Sequence, residues 1–373
     1  MRIGVPKEIK SQEHRVGLVP ASVRELVDHG HTVSIETQAG AGIGFSDSNY
    51  KQAGAKIVKT AAEIFDKSEM VIKVKEPQPQ EYKMLSEGQI LFTYLHLAPD
   101  PEQAKALVKS KCVAIAYETV TGKGGKGLPL LAPMSEVAGR LSTQMGAHYL
   151  QKHLKGLGRL IGGVPGVEPA NVLVLGGGVA GFNAARMAVG MEANVTLLER
   201  SPDRMRELDD YFAGRAQILY STNDAIAKYV QEADIVIGAV LIPGASAPRL
   251  VTRPMLKTMK KGAILVDIAI DQGGCFETSK PTTHENPVYE VDGITHYCVA
   301  NMPGAVPLTS ALALNNAVLP YAIRLANQGW RKVLAEDADF RNGLNVCFGK
   351  ITHKDVAQAL KMDYIENPSE MTA

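Results

Sequence analysis

The chain has 373 residues, enough for two domains with separate cores, and its 40 basic and 39 acidic residues leave a net charge of +1. So even a balance argues against nucleic acid or a membrane surface as partner, and no apolar run approaches the roughly 20 residues of a spanning helix. Four scattered cysteines (Cys112, Cys275, Cys298, Cys347) form no C-x-x-C, which points to a reduced, cytoplasmic setting, and no His/Cys/Asp/Glu cluster has metal-ligand spacing.

The first 120 residues alternate strand-like and helix-like segments. Ile3 to Pro6 reads as a short strand, Ala21 to His29 as an amphipathic helix, and Thr32 to Glu36 as a strand by its alternation. Met70 to Lys75, Gln89 to Leu95 and Cys112 to Tyr117 are further strands, with helical patterns around Ala61 to Phe65 and Pro101 to Lys109. Such alternation predicts a parallel sheet covered on both faces. Gly122 to Gly127 resembles a phosphate loop but lacks the G-x-x-x-x-G-K-[ST] pattern, so it reads as a flexible boundary loop. A long helix from Ser135 to His153 follows and connects the domains.

The next stretch carries the strongest local signal. Val172 to Leu175 is an apolar run that opens into Gly176-Gly177-Gly178-Val179-Ala180-Gly181, a G-x-G-x-x-G. Small and apolar residues at helical spacing follow, then a second strand, Val195 to Leu198, ending in Glu199. The first glycine permits the tight turn, the second lets the backbone approach a pyrophosphate, and the third lets helix and strand pack closely. Free N–H groups at the helix start receive negative charge, and an acid about 20 residues beyond the turn suits the ribose hydroxyls. Strand, helix, second strand and acid in order are the fingerprint of a dinucleotide cofactor. Ile235 to Val240 and Ala263 to Ile270 are further strands, with Thr295 to Ala300 a weaker one. Thr309 to Gln328 is helical but interrupted by Pro320, and a final short helix lies around Asp355 to Lys361. The expected fold class is α/β, with two doubly wound, Rossmann-like domains joined by two long helices and a substrate site in the cleft between them. Residues 1–128 would begin the catalytic domain, 129–305 form the cofactor domain, and 306–373 return to the first.

Ligands of open α/β sheets bind beyond the carboxyl ends of the strands. Polar residues there include Arg15 after the first strand, Lys75 before Glu76-Pro77, His96 in Tyr94-Leu95-His96-Leu97, and Asp271 after Ile270. Arg15 can grip a carboxylate with two prongs, and Lys75 can hold a carboxylate or carbonyl oxygen as a point charge. An imidazole titrates near neutrality, as a general acid/base must. Asp271 can position a substrate amine or hold His96 in its active form. Together they suit a small keto acid or amino acid.

These segments carry a resemblance to a known family. Gly4-Val5-Pro6-Lys7-Glu8, Glu13-His14-Arg15-Val16, Lys73-Val74-Lys75-Glu76-Pro77 and Leu95-His96-Leu97-Ala98 resemble alanine dehydrogenases. That family shares its architecture with the NAD-binding domain of proton-pumping nicotinamide nucleotide transhydrogenase. The likeness continues through Met134 to Arg140, the glycine turn, Asp267 to Gly274 and Asn301-Met302-Pro303-Gly304, so it covers essentially the whole chain. It implies NAD-dependent, reversible oxidative deamination of L-alanine to pyruvate and ammonium. Arg15 and Lys75 would bind substrate, and His96 and Asp271 would do the acid/base work. It further implies a cofactor site drawn from Ser135, Gly176, Gly178, Val179, Ala180, Gly181, Glu199, Arg204 and Ser221. Val240, Leu241, Ile268, Asp271, Lys280, Val299, Asn301 and Met302 would complete that site. Glu199 stands where the family usually has Asp, and it still repels a ribose 2′-phosphate; Arg200 and Arg204 nearby can accept one, but the acid outranks them. Lys280 stands where the family often has Arg. The family is usually a homohexamer, and the alternative role is a transhydrogenase component.

Overall fold

The computed structural model describes residues 1–240 and 247–365. They divide into two compact units, one built from Met1–Met134 together with the chain from Val306 onward, the other from Ser135–Ala305.

In the first unit, β1 (Arg2–Val5), β2 (Thr32–Glu36), β3 (Lys56–Val58), β4 (Met70–Ile72), β5 (Ile90–Thr93) and β6 (Val113–Ala116) run parallel in the spatial order β3-β2-β1-β4-β5-β6. Strands Leu344–Cys347 and Lys350–Ile351 extend the sheet beyond β6 in antiparallel fashion. Every residue of β4, β5 and β6 is buried, which is why these segments read as unbroken apolar runs, whereas β2 alternates. Helix Pro307–Gln328 is tied to this unit through Asn315, whose side-chain oxygen accepts the Val19 N–H at 2.9 Å. The expected interruption at Pro320 is absent. Pro320 and Asn316 both lie on the exposed side of one continuous helix, where the carbonyl that proline leaves without a donor faces solvent instead of the core.

The second unit repeats the plan. Here β7 (Asn171–Leu175), β8 (Asn194–Glu199), β9 (Gln217–Tyr220), β10 (Ile235–Gly238), β11 (Ile264–Asp267), β12 (Val288–Val291) and β13 (Ile294–Tyr297) take the order β9-β8-β7-β10-β11-β13-β12. All pairs are parallel except β12 with β13. Leu173, Val230, Val236, Leu265 and Phe276 are among the fully buried core residues, each stabilising by about 1.5–3 kcal/mol. In both sheets the strand order reverses beside the first strand, at β1/β4 and at β7/β10. These switch points open crevices at the carboxyl ends.

Several strands stop short of their expected ends, β10 at Gly238 and β13 at Tyr297 among them, and for three others competing hydrogen bonds give the reason. The chain leaves β4 at Ile72, not Lys75, because the Val74 and Lys75 N–H groups turn to Glu8 Oε1 at 2.7 and 3.3 Å. It leaves β5 at Thr93, not Leu95, because the Leu95 and His96 N–H groups turn to the Glu118 carboxylate. And β11 ends at Asp267, whose side chain accepts from the Ala269 N–H and starts the 3-10 turn Ile268–Gln272 in place of a strand to Ile270. The glycine loop after β6 is also tied down. Asp339 accepts from the Gly124 and Gly125 N–H groups at 2.9 and 2.8 Å and from the Thr121 hydroxyl, so a carboxylate of the chain itself occupies those amides.

Candidate active site

In the first unit the strand-end loops bring two cations to the β1/β4 switch point. Arg15 is 2 % exposed, and its Nε and Nη2 donate to the two oxygens of Glu13 at 2.7 and 2.6 Å. That fork-to-fork pair fixes the plane of the guanidinium and turns Nη1 toward the Met134 thioether, a weak acceptor at 3.1 Å. Burial opposes ionisation of Glu13, but the bonds and charge of Arg15 outweigh it and hold the carboxyl down at about 2. Lys75 also lowers Glu13, so both cations share one field.

A second buried network sets the Lys75 backbone. Glu8, which grips the Val74 and Lys75 amides, pairs through its other oxygen with Lys73 at 3.2 Å, and Lys73 pairs with Glu81 at 3.0 Å. Burial pushes Glu8 up despite Lys73, whereas Lys73 is held up by both carboxylates against its own burial. The ammonium of Lys73 is therefore the fixed charge of the triad. Glu76 lies beside Lys75, is bridged to Lys10 and, against its burial, is kept below the usual carboxylate range by those two cations.

His96 follows β5 in a backbone conformation that few side chains adopt, with φ at 49°. Its ring is exposed within this unit and stacks on Tyr94, centroids 5.7 Å apart and planes 10° apart. Tyr94 is itself buried, donates to the Leu130 carbonyl at 2.5 Å and meets Tyr117 edge-on at 5.1 Å. Arg15 exerts a pull on the Tyr94 phenol, which links Tyr94 and His96 to the cationic pair. Arg15, Lys75 and His96 thus come together on one unit. Asp271 belongs to the other, exposed on the 3-10 turn after β11.

In the second unit each glycine of the turn can be tested by asking what a Cβ would meet. At Gly176 (φ 95°) it would lie 2.8 Å from Val240, and at Gly181 only 1.8 Å from the Gly176 carbonyl oxygen. Those two are glycine for internal reasons, the tight turn and close helix–strand packing. At Gly178 a Cβ would meet nothing within 4 Å, and φ is an unstrained −64°. No contact within the protein calls for glycine there, and the backbone at this position is open to a ligand's approach. Gly178 starts helix Val179–Gly190 with no side-chain cap and no acid in the first turn, which leaves that end to receive an anion. The residues present therefore fit a dinucleotide. Gly178→Ala is expected to leave the melting temperature unchanged and to weaken NADH binding by roughly tenfold or more, about 1.4 kcal/mol, whereas Gly181→Ala should lower both. Equal NADH affinity of the Gly178 variant in a fluorescence titration would refute the assignment.

Glu199 ends β8 beneath this turn. Its oxygens accept from the Gly177, Arg200 and Ser201 N–H groups at 2.7, 2.6 and 2.9 Å, so it braces the glycine loop as well as presenting charge. Arg204 donates Nε to the Gly177 carbonyl at 2.8 Å and pairs with Glu207. Ser221 is buried after β9 with its N–H on the Glu199 carbonyl, Val240 follows β10, and Ser135 is half-buried on helix Ala132–Tyr149. Ile268 is half-buried; Lys280 is exposed, and its N–H donates to the Tyr289 hydroxyl at 2.7 Å. Val299 and Met302 are buried around Asn301, whose φ is 60°. Leu241 lies outside the described residues.

Strand-end reasoning missed several residues. Asp267 is fully buried, accepts from the Cys275 N–H at 2.8 Å and from Ser279, and burial pushes it up to about 6 despite those bonds. Its place at the end of an apolar run was a usable signal. Glu8, Glu13 and Glu118 offered none, since acids in loops usually mean solvated surface. Among the described residues, no group of three or more His, Cys, Asp or Glu side chains could hold a metal ion, and no helix is long and apolar enough to cross a membrane.

Family models described as "Alanine dehydrogenase/PNT, N-terminal domain" and "Alanine dehydrogenase/PNT, C-terminal domain" match residues 4–138 and 142–354. The chain is 56% identical over 369 residues to an alanine dehydrogenase of Halomonas elongata, covering 99% of each sequence. It is 54% identical over 365 residues to alanine dehydrogenase 2 of Staphylococcus aureus, covering 98% of each. A solved L-alanine dehydrogenase superposes with a TM-score of 0.93 at 52% identity, covering 97% of this chain and 99% of that one. A transhydrogenase from Sinorhizobium meliloti superposes at 0.82 with 24% identity, covering 94% of this chain and 100% of that one, a likeness of fold.

Proposed function

The chain belongs to the alanine dehydrogenase/PNT family, and from that premise we propose that Arg15, Lys75, His96 and Asp271 carry its chemistry. The activity is the reversible, NAD-dependent oxidative deamination of L-alanine to pyruvate and ammonium. When bound, the nicotinamide supplies the hydride acceptor. Arg15, its plane set by Glu13, and Lys75, its backbone set by Glu8, hold the substrate carboxylate and the oxygen that becomes the pyruvate carbonyl. A carboxylate is a far stronger acceptor than the Met134 sulfur facing Arg15 Nη1, so it displaces that contact readily. Loss of hydride from Cα leaves an iminium; water adds to it, and the carbinolamine releases ammonia. His96 and Asp271 hold and move the protons of these steps, whose net yield is ammonium and a proton. On the cofactor side, the Gly176 to Gly181 turn would hold the pyrophosphate and Glu199 the ribose hydroxyls.

The observation that carries this reading is the gathering of Arg15, Lys75 and His96 on one unit, with His96 presented on the Tyr94 ring. A transhydrogenase component, the other reading, would have no use for an acid/base pair. The subunit is read as cytoplasmic, in keeping with four buried free cysteines, and as part of a hexamer, in keeping with the family resemblance. Adding L-alanine and NAD to the purified protein should produce NADH at a rate that saturates with L-alanine. Intact NADH binding with no turnover of any amino acid would overturn the assignment.

A further inference from the structure

We propose that Glu118 is the positioning residue for His96, clamping the Leu95–His96 peptide in the left-handed turn that presents the imidazole. The proposal rests on the reading of His96 as an acid/base group.

A histidine at φ 49° is held against its own preference, because an L side chain in this region crowds the following carbonyl. Something must over-determine it, and two side chains do. Glu118, just past β6, accepts from the His96 N–H at 2.6 Å and from the Leu95 N–H at 3.1 and 3.2 Å. Gln103, fully buried on helix Pro101–Ser110, donates its amide to the Leu95 carbonyl at 2.7 Å. The peptide is gripped on both polar edges by side chains from two elements that one apolar core already packs together, through Leu95, Ala104, Leu107, Ala114 and Ala116. Two adjacent N–H groups pointing at one oxygen form a nest for an anion, and a carboxylate brings to it the full charge that a neutral amide lacks. The ring then lies parallel to and offset from the Tyr94 ring, which the Leu130 carbonyl and Tyr117 fix in turn. The charge of Glu118 also reaches Tyr94 and His353, so its removal changes the field at the turn as well as its shape.

The test is a double-mutant cycle on the full chain with NAD present. Glu118→Gln keeps the volume but removes the negative charge from the nest and sets an NH₂ group in place of an oxygen that faces it. It is expected to lower kcat by roughly 10–100-fold, as misplacement of a reacting group does, with KM for NADH unchanged. In a His96→Ala background the same substitution should cost nothing more, because Glu118 acts through the imidazole. Wild-type kcat for Glu118→Gln, or an equal loss with and without His96, overturns the proposal alone. Wild-type turnover of His96→Ala overturns the reading of His96 and the clamp with it. Should Glu118→Gln fail to fold, Gln103→Met releases the other edge of the same peptide and must show the same dependence on His96.

Discussion

Replacing His96 with alanine is expected to lower kcat by roughly 10²–10⁴-fold while leaving NADH affinity and the melting temperature near those of the wild type. The loss is large because removing a positioned general acid/base forfeits its whole contribution to proton transfer in the transition state. The effect should fall on turnover because the residues proposed to hold the cofactor lie in Ser135–Ala305, the other unit of the chain. Stability should barely move because the ring is exposed within its unit, and the Leu95–His96 peptide keeps its grip from Glu118 and Gln103. Single-turnover hydride transfer and a fluorescence titration with NADH separate the two effects. Near-wild-type turnover would remove His96 from the chemistry.

Arg15→Met should be felt in stability and substrate binding together. The Arg15–Glu13 pair is almost wholly out of water, with side-chain exposures of 1% and 0%. Removing one partner strands a buried carboxylate, which costs about 3–5 kcal/mol at neutral pH. The dependence on pH gives a sharper test. In the wild type Glu13 is lowered from 4.5 to about 2, so its contribution is complete above about pH 4.5 and is lost as the pH falls toward 2. Without Arg15 the burial that already opposes ionisation prevails, the folded value rises, and stability is instead lost as the pH rises. The two proteins should differ most near neutrality and converge in acid. Urea unfolding across that range reads the gap directly, and a gap that stays constant with pH would show that Glu13 is not the cause. KM for pyruvate should rise as well, since the carboxylate clamp is gone.

The chain shows much of this in its primary structure. The glycine turn, the acid at the end of β8 and the apolar runs of β5, β6, β10 and β11 are local signals, each read within a few residues of itself. The strand-end rule then singled out Arg15, Lys75, His96 and Asp271 with no knowledge of what lay beside them. Less legible were the short or half-exposed strands. Residues 56–58 (β3) and 217–220 (β9) flank their sheets, are only partly buried and so carry no apolar run. Pro320 misled because its usual effect holds for a helix interior, and only its placement on a wet face removes the penalty.

What the sequence by itself determined is the architecture and the inventory: parallel sheets, a dinucleotide turn, and the residue types that a small amino acid needs. These follow from periodicity and from backbone rules that act over a few residues. What only the tertiary structure decided is where each strand lets go, and so how each reactive group is aimed. Glu8 takes the Val74 amide from 66 residues away, and Glu118 takes the His96 amide from 22 residues away. No local pattern marks either acid, because a carboxylate becomes a brace only when folding buries it against amides that have left the ladder. Those long-range hydrogen bonds, together with the buried pairing of Arg15 by Glu13, fix the polar strand ends proposed to form the site.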